Sequence, residues 1–148
     1  MKIDRRFFIR GVLAFSTVLA FPRTLFAARP DMAFDATDAD AVYNELFGEI
    51  PADSDRVKMK MPDIAENGAV VPVTVSTDLD NVESISIVVE NNPTPLAAEF
   101  KLSTRSEATV SVRIKMGESS PVRAIVKADG KYYSTAKEVK VTIGGCGG

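Results

Sequence analysis

Histidine and tryptophan are absent from this 148-residue chain, and cysteine occurs once, at position 146. Without histidine the chain lacks the commonest general base and the commonest metal ligand. A lone cysteine cannot close an intrachain disulfide or build a multi-thiolate metal site. Basic excess is also missing: Lys and Arg total 18 against 20 Asp and Glu. Nothing there would hold a nucleic-acid backbone. No apolar run is long enough to span a bilayer. Most enzyme classes lose their usual side chains at once. What remains is an ordinary globular balance, 45% apolar and 26% charged, enough chain for one domain.

The N-terminus reads as an address. Lys2, Arg5, Arg6 and Arg10 precede the uncharged stretch Gly11 to Phe21. The paired arginines Arg5 and Arg6, then Phe7 and two further bulky apolar residues, resemble a twin-arginine export signal. Leu25-Phe26-Ala27 offers a cleavage site, with Ala28 an alternative last residue of the signal. The competing reading is a buried or membrane-anchoring helix, which the short apolar core disfavours. The reading therefore divides the chain into a signal at 1–27, an N-terminal segment at 28–54, a β-domain at 55–143 and an arm at 144–148. Removing 1–27 leaves 13 basic and 19 acidic residues, a net charge of −6. An acidic exported domain suits neither nucleic acid nor an anionic membrane. The compartment implied is the bacterial periplasm, where an unpaired thiol is unusual.

Apolar spacing predicts one short helix over Asp35 to Ile50. Val42, Tyr43, Leu46, Phe47 and Ile50 make its stripe, and Asp35 or Thr37 its cap. Pro51 and the polar run after it end the helix. Beyond that the period becomes two. Seven alternating segments are expected: 57–61, 71–75, 82–88, 98–102, 110–116, 122–128 and 139–143. Turn residues separate them, notably Asn67-Gly68, Asp80-Asn81, Asn91-Asn92-Pro93 and Asp129-Gly130, the last a type I′ hairpin turn. Seven half-buried strands predict an immunoglobulin-like antiparallel β-sandwich, without the Cys…Trp…Cys signature of a true immunoglobulin domain. Pro72 implies an edge or a bulge. Met59, Met61 and Met116 could suggest a thioether copper site, but the two-residue spacing that places Met59 and Met61 on the strand face of Val57 favours core packing. Asp35, Asp38 and Asp40 favour capping over calcium, since calcium-loop spacing is missing. Of Tyr132 and Tyr133, one should face inward and the other should be incidental surface.

The chain closes on Gly144-Gly145-Cys146-Gly147-Gly148. Such a tail carries no side-chain bulk and cannot pack. Extended, residues 144 to 146 would carry the sulfur roughly 10 Å beyond the fold. No neighbouring His or Lys activates the thiol, and an ordinary thiol is only a few per cent ionised at pH 7. This suits a carrier, whose protein supplies reach while partners supply chemistry. The alternative is a structural or interaction module whose tail cysteine forms interchain disulfides; a disulfide-linked dimer is compatible with either.

The terminal Gly-Gly-Cys-Gly-Gly behind Val-Thr-Ile resembles the SoxY family, the sulfur-carrier subunits of bacterial thiosulfate oxidation. Ile64-Ala65-Glu66-Asn67-Gly68 leading into Val71-Pro72-Val73-Thr74-Val75 matches it too, as does the signal. The resemblance implies a periplasmic, non-enzymatic protein with no cofactor or metal of its own. It implies that Cys146 holds covalent sulfur intermediates and that glycines 144, 145, 147 and 148 form a flexible arm. It implies a heterodimer with a SoxZ-like sandwich subunit. Further implied partners are a c-type haem enzyme that conjugates thiosulfate, a dimanganese hydrolase that releases sulfate and, in some organisms, a sulfane dehydrogenase.

Overall fold

A computed structural model describes residues 31–103 and 105–142. The signal residues Arg5 and Arg6, residue Ile143, and the whole arm at 144–148 with Cys146 lie outside the described residues.

Two helices come first, α1 (Asp31–Asp35) and α2 (Ala39–Phe47). Eight strands follow: β1 (Val57–Lys60), β2 (Ile64–Ala65), β3 (Val71–Thr77), β4 (Val82–Val89), β5 (Leu96–Lys101), β6 (Thr109–Ile114), β7 (Ser120–Ala128) and β8 (Lys131–Val141). They form a three-stranded sheet, β1-β3-β6, and a five-stranded sheet, β2-β8-β7-β4-β5. The expected all-β sandwich is present. Its pairing is antiparallel except where β2 lies parallel to β8.

One core fills the space between the sheets. Val71, Val73 and Val75 of β3 meet Ile85, Ile87 and Val89 of β4 and Val122, Ala124 and Val126 of β7 there. Met61 and Met116 are buried in that core and Met59 packs against it, as core packing of the methionines predicted. A second core lies on the outer face of the five-stranded sheet. There Val42 and Tyr43 of α2 and Ala33 of α1 cover Val88, Leu96 and Ile125. This second layer explains why Ile85 to Val89 form an unbroken buried run: both faces of β4 are covered.

The expected single helix over 35–50 is α2, shorter at both ends, and α1 stops at Asp35, where the helix was expected to begin. The cap of α2 is Asp38, not Asp35 or Thr37: Ala41 N donates to Asp38 Oδ1 at 2.7 Å. Gly48, at φ 78°, ends it before Pro51 is reached, and Ile50 is exposed rather than part of the stripe. The strand at 139–143 begins earlier, at Lys131. Polar Lys131 to Glu138 hid it, because Ser134 is fully buried under residues 51–54 rather than under apolar side chains. An eighth strand, β2, is two residues long and carries no periodicity. Asp129 (φ 49°) and Gly130 (φ 70°) form the expected hairpin turn. Pro72 pairs with Arg113 of β6, but β1 reaches only as far as Thr74. It therefore lies at a local edge, where a missing N–H costs nothing. Tyr132 is not incidental surface: its ring packs edge-on against Phe47 at 5.2 Å and its hydroxyl donates to Leu46 O at 3.2 Å.

Candidate functional site: the root of the C-terminal arm

Thr142 is the last described residue, four positions before Cys146. The described chain closes with the end of β8, and the structure shows what holds that end.

Along most of its length β8 pairs with β7, from Lys131 opposite Ala128 to Val139 opposite Ser120. At its last residues it gains β2 on the other side, with Ile64 opposite Lys140 and Ala65 opposite Val141. The amides alternate accordingly. Lys140 N donates to Asp63 O and Thr142 N to Ala65 O, both at 3.0 Å. Val141 N points the opposite way, where β7 has not yet begun. It donates to the Ser119 hydroxyl oxygen at 2.9 Å, so a side chain supplies the missing acceptor. All three closing amides are held.

The segment after β2 packs in from the end of the sandwich. Asn67 closes a tight turn on itself, accepting from Ala69 N at 2.9 Å. This brings Gly68 against Met116, whose N donates to Gly68 O at 2.7 Å. A β-carbon on Gly68 would collide with Met116 O and sit 2.9 Å from Val141 Cγ1. This is one position where only glycine fits. Asn92 completes the platform: it donates to Lys115 O at 2.7 Å and accepts from Gly117 N at 2.9 Å. Asn91 donates from its side chain to Ser119 O at 2.9 Å and from its backbone to Ser120 Oγ at 3.0 Å. From the flank, Lys137 Nζ reaches Met61 O at 2.9 Å and Asp63 Oδ1 at 2.8 Å, tying the approach to β2 onto β8.

The Ile64–Gly68 segment, singled out in the sequence beside the tail, is thus the socket of β8. The supporting residues Asp63, Asn91, Asn92, Ser119 and Lys137 were not singled out. Their signal was the concentration of Asn and Ser in connecting loops, where such side chains bond to backbone. Among the described residues no group of three His, Cys, Asp or Glu could hold a metal ion. What this platform can do is fix the end of β8.

The sequence pattern of the family described as "Sulfur oxidation protein SoxY" matches residues 43–146. The chain belongs to the SoxY family. The match takes in the platform and reaches the position of Cys146. The fold is similar to that of the sulfur carrier protein SoxY from Chlorobium limicola f thiosulfatophilum. That structure is 39% identical with a TM-score of 0.63, over 74% of this chain and 96% of that one. A SoxY protein thus stands among sulfur-oxidation carriers. A superoxide reductase (neelaredoxin) from Ignicoccus hospitalis is also similar, at 18% identity and TM-score 0.52, over 58% of this chain and 80% of that one. A single-residue variant of that reductase gives 18% and 0.53, over 73% and 91%. At that identity the likeness shows the sandwich alone. No curated protein sequence matches significantly.

Proposed function

We propose that this SoxY protein is a non-catalytic periplasmic carrier that holds thiosulfate-derived sulfur covalently on Cys146 and presents it to partner enzymes. The observation carrying this reading is the family match that runs to residue 146, the position of the only cysteine. It is joined by an anchored strand end four residues upstream. In the loading step the Cys146 sulfur and the outer sulfur of thiosulfate form an S–S bond. The thiol proton is released and two electrons pass to a c-type haem partner. In the next step a dimanganese hydrolase adds water to the terminal sulfonate, releasing sulfate and leaving a sulfane sulfur on the cysteine. The chain supplies position and reach, through Gly144, Gly145, Gly147 and Gly148, and the partners supply chemistry. Export follows the twin-arginine route through Arg5 and Arg6. A SoxZ-like sandwich subunit completes the carrier.

Intact-mass spectrometry of the protein from its native compartment, before and after reductant, tests this. Reducible sulfur or thiosulfonate adducts mapped to Cys146 support it. A single unmodified mass, or only a disulfide dimer, overturns it in favour of the structural module.

A further inference from the structure

The outer face of the three-stranded sheet is chemically one-sided. Registers place Lys58 beside Ser76 and Thr109, Lys60 beside Thr74 and Ser111, and Pro72 beside Arg113, all pointing away from the core. Lys58, Lys60, Ser111 and Arg113 are exposed, and Lys115 continues the β6 edge. Three of these eight paired positions are basic and none is acidic. Yet acidic residues outnumber basic ones 19 to 12 among the described residues. Lys60, Arg113 and Lys115 make no ion pair among the described residues. The carboxylates flanking these strands are Glu107 and Asp78 at the opposite end, with Asp78 bound to Arg56 at 2.8 Å, and Asp63 and Glu118 at this end, with Asp63 bound to Lys137 at 2.8 Å. Two shallow hollows of about 350 and 200 Å³ flank Pro72, toward Lys60 and toward Arg113.

This basic end also abuts the closing residues of β8. Pro72 follows Gly68 by four residues, and Gly68 abuts Val141. Met116, one residue past Lys115, bonds to Gly68.

We infer that the Lys60–Pro72–Arg113 face is an electrostatic docking surface for a carboxylate-rich patch on a partner protein. Three short strands span only about 300 Å² at ordinary strand spacing, well under one side of a stable interface. Contact of that size, made of exposed charge, steers encounter and releases quickly. Only the naming of the partner as an enzyme served by the arm rests on the carrier reading. Edge protection against aggregation is the plain alternative for Lys and Pro on short strands. It is met by charge of either sign, whereas docking is not.

The test is a titration of ¹⁵N-labelled protein with deca-glutamate peptide at low salt. Amide shifts should concentrate at Lys60, Thr74, Ser111 and Arg113. Affinity should fall about fivefold or more on raising salt from about 50 to 200 mM, because exposed charges are screened. Lys60→Glu/Arg113→Glu should abolish the shifts and leave oligomeric state and stability unchanged, while Lys131→Glu binds as before. Shifts spread equally over Lys101, Lys127 and Lys131, or unchanged binding by the double variant, overturn the inference. So does equal binding of inorganic sulfate or of single-stranded DNA of the same length. The titration does not involve Cys146. Its failure would leave the carrier reading standing, and a missing Cys146 adduct would leave the docking face standing.

Discussion

Gly68 and Val141 touch without room for a methyl group between them: a β-carbon on Gly68 would stand 2.9 Å from Val141 Cγ1 and clash with the Met116 carbonyl. Two residues 73 positions apart in sequence thereby fix the end of β8. Gly68→Ala must push backbone, and is expected to cost about 1–3 kcal/mol in chemical denaturation. Exchange of the Val141 and Thr142 amides should accelerate. Gly117→Ala, whose nearest neighbour would be 3.7 Å away, should stay within about 0.5 kcal/mol. Equal effects would show that the contact is not the constraint.

Arg123 gathers the N-terminal segment onto the sheet. Its Nη1 donates to Asp53 at 2.7 Å and to Ser134 Oγ at 3.0 Å, and its Nε lies 3.6 Å from Glu90. Glu90 also accepts from the Tyr43 hydroxyl at 2.8 Å. Burial, and then the Glu90 carboxylate, push that phenol well above the ordinary tyrosine range. Arg123→Met leaves the carboxylates unmatched and should cost about 2 kcal/mol. Protease sensitivity of residues 48–55 should rise in thermal scans.

Asp38 caps α2 through Ala41 N. Asp38→Ala should cost about 1 kcal/mol and Asp38→Asn only a fraction of that. Asp35→Ala should be near neutral in the same unfolding series.

Glu83 contributes to the acid response. The Lys127 ammonium at 2.9 Å and, second, the Gly130 amide at 2.8 Å hold its carboxyl below the usual glutamate value. A carboxyl lowered on folding adds stability above its unfolded pKa and loses it as pH falls through the folded one. Glu83→Gln should therefore lower Tm at neutral pH, with the two curves converging in acid. A constant offset across pH would assign the effect to packing instead.

Cys146→Ser should abolish every sulfur adduct by mass spectrometry while leaving Tm unchanged; a large loss of stability would make the cysteine structural. Gly145→Val or Gly147→Val should slow loading by partner enzymes with folding intact. Equal turnover at equal binding would argue against an arm that threads narrow entrances.

The sandwich was legible because most of its strands have one wet face, and Val71–Val75 or Thr109–Ile114 alternate cleanly. Legibility failed where a face was covered by something other than the opposing sheet. Ser134 sits buried beneath Pro51 and Asp53, so polar residues stood where apolar ones would have announced β8. Tyr132 lies beneath α2 and Tyr133 against the inter-sheet core, so neither of the pair is the incidental surface residue that alternation expects. The cap went to Asp38 because geometry, not residue type, chose among Asp35, Thr37 and Asp38. The tail motif was plain in sequence. Its socket was half plain: Ile64–Gly68 stood out, while the acceptor role of Ser119 depends on where β7 begins, which periodicity does not fix to the residue.

Between β2 and β7, the final residues of β8 meet any mechanical load side-on. A tug on the chain beyond Thr142 runs along the strand, across hydrogen bonds that lie perpendicular to it. Those bonds are strained together, in shear, and not peeled one after another. Force applied at that terminus is thereby shared over the length of an 11-residue strand.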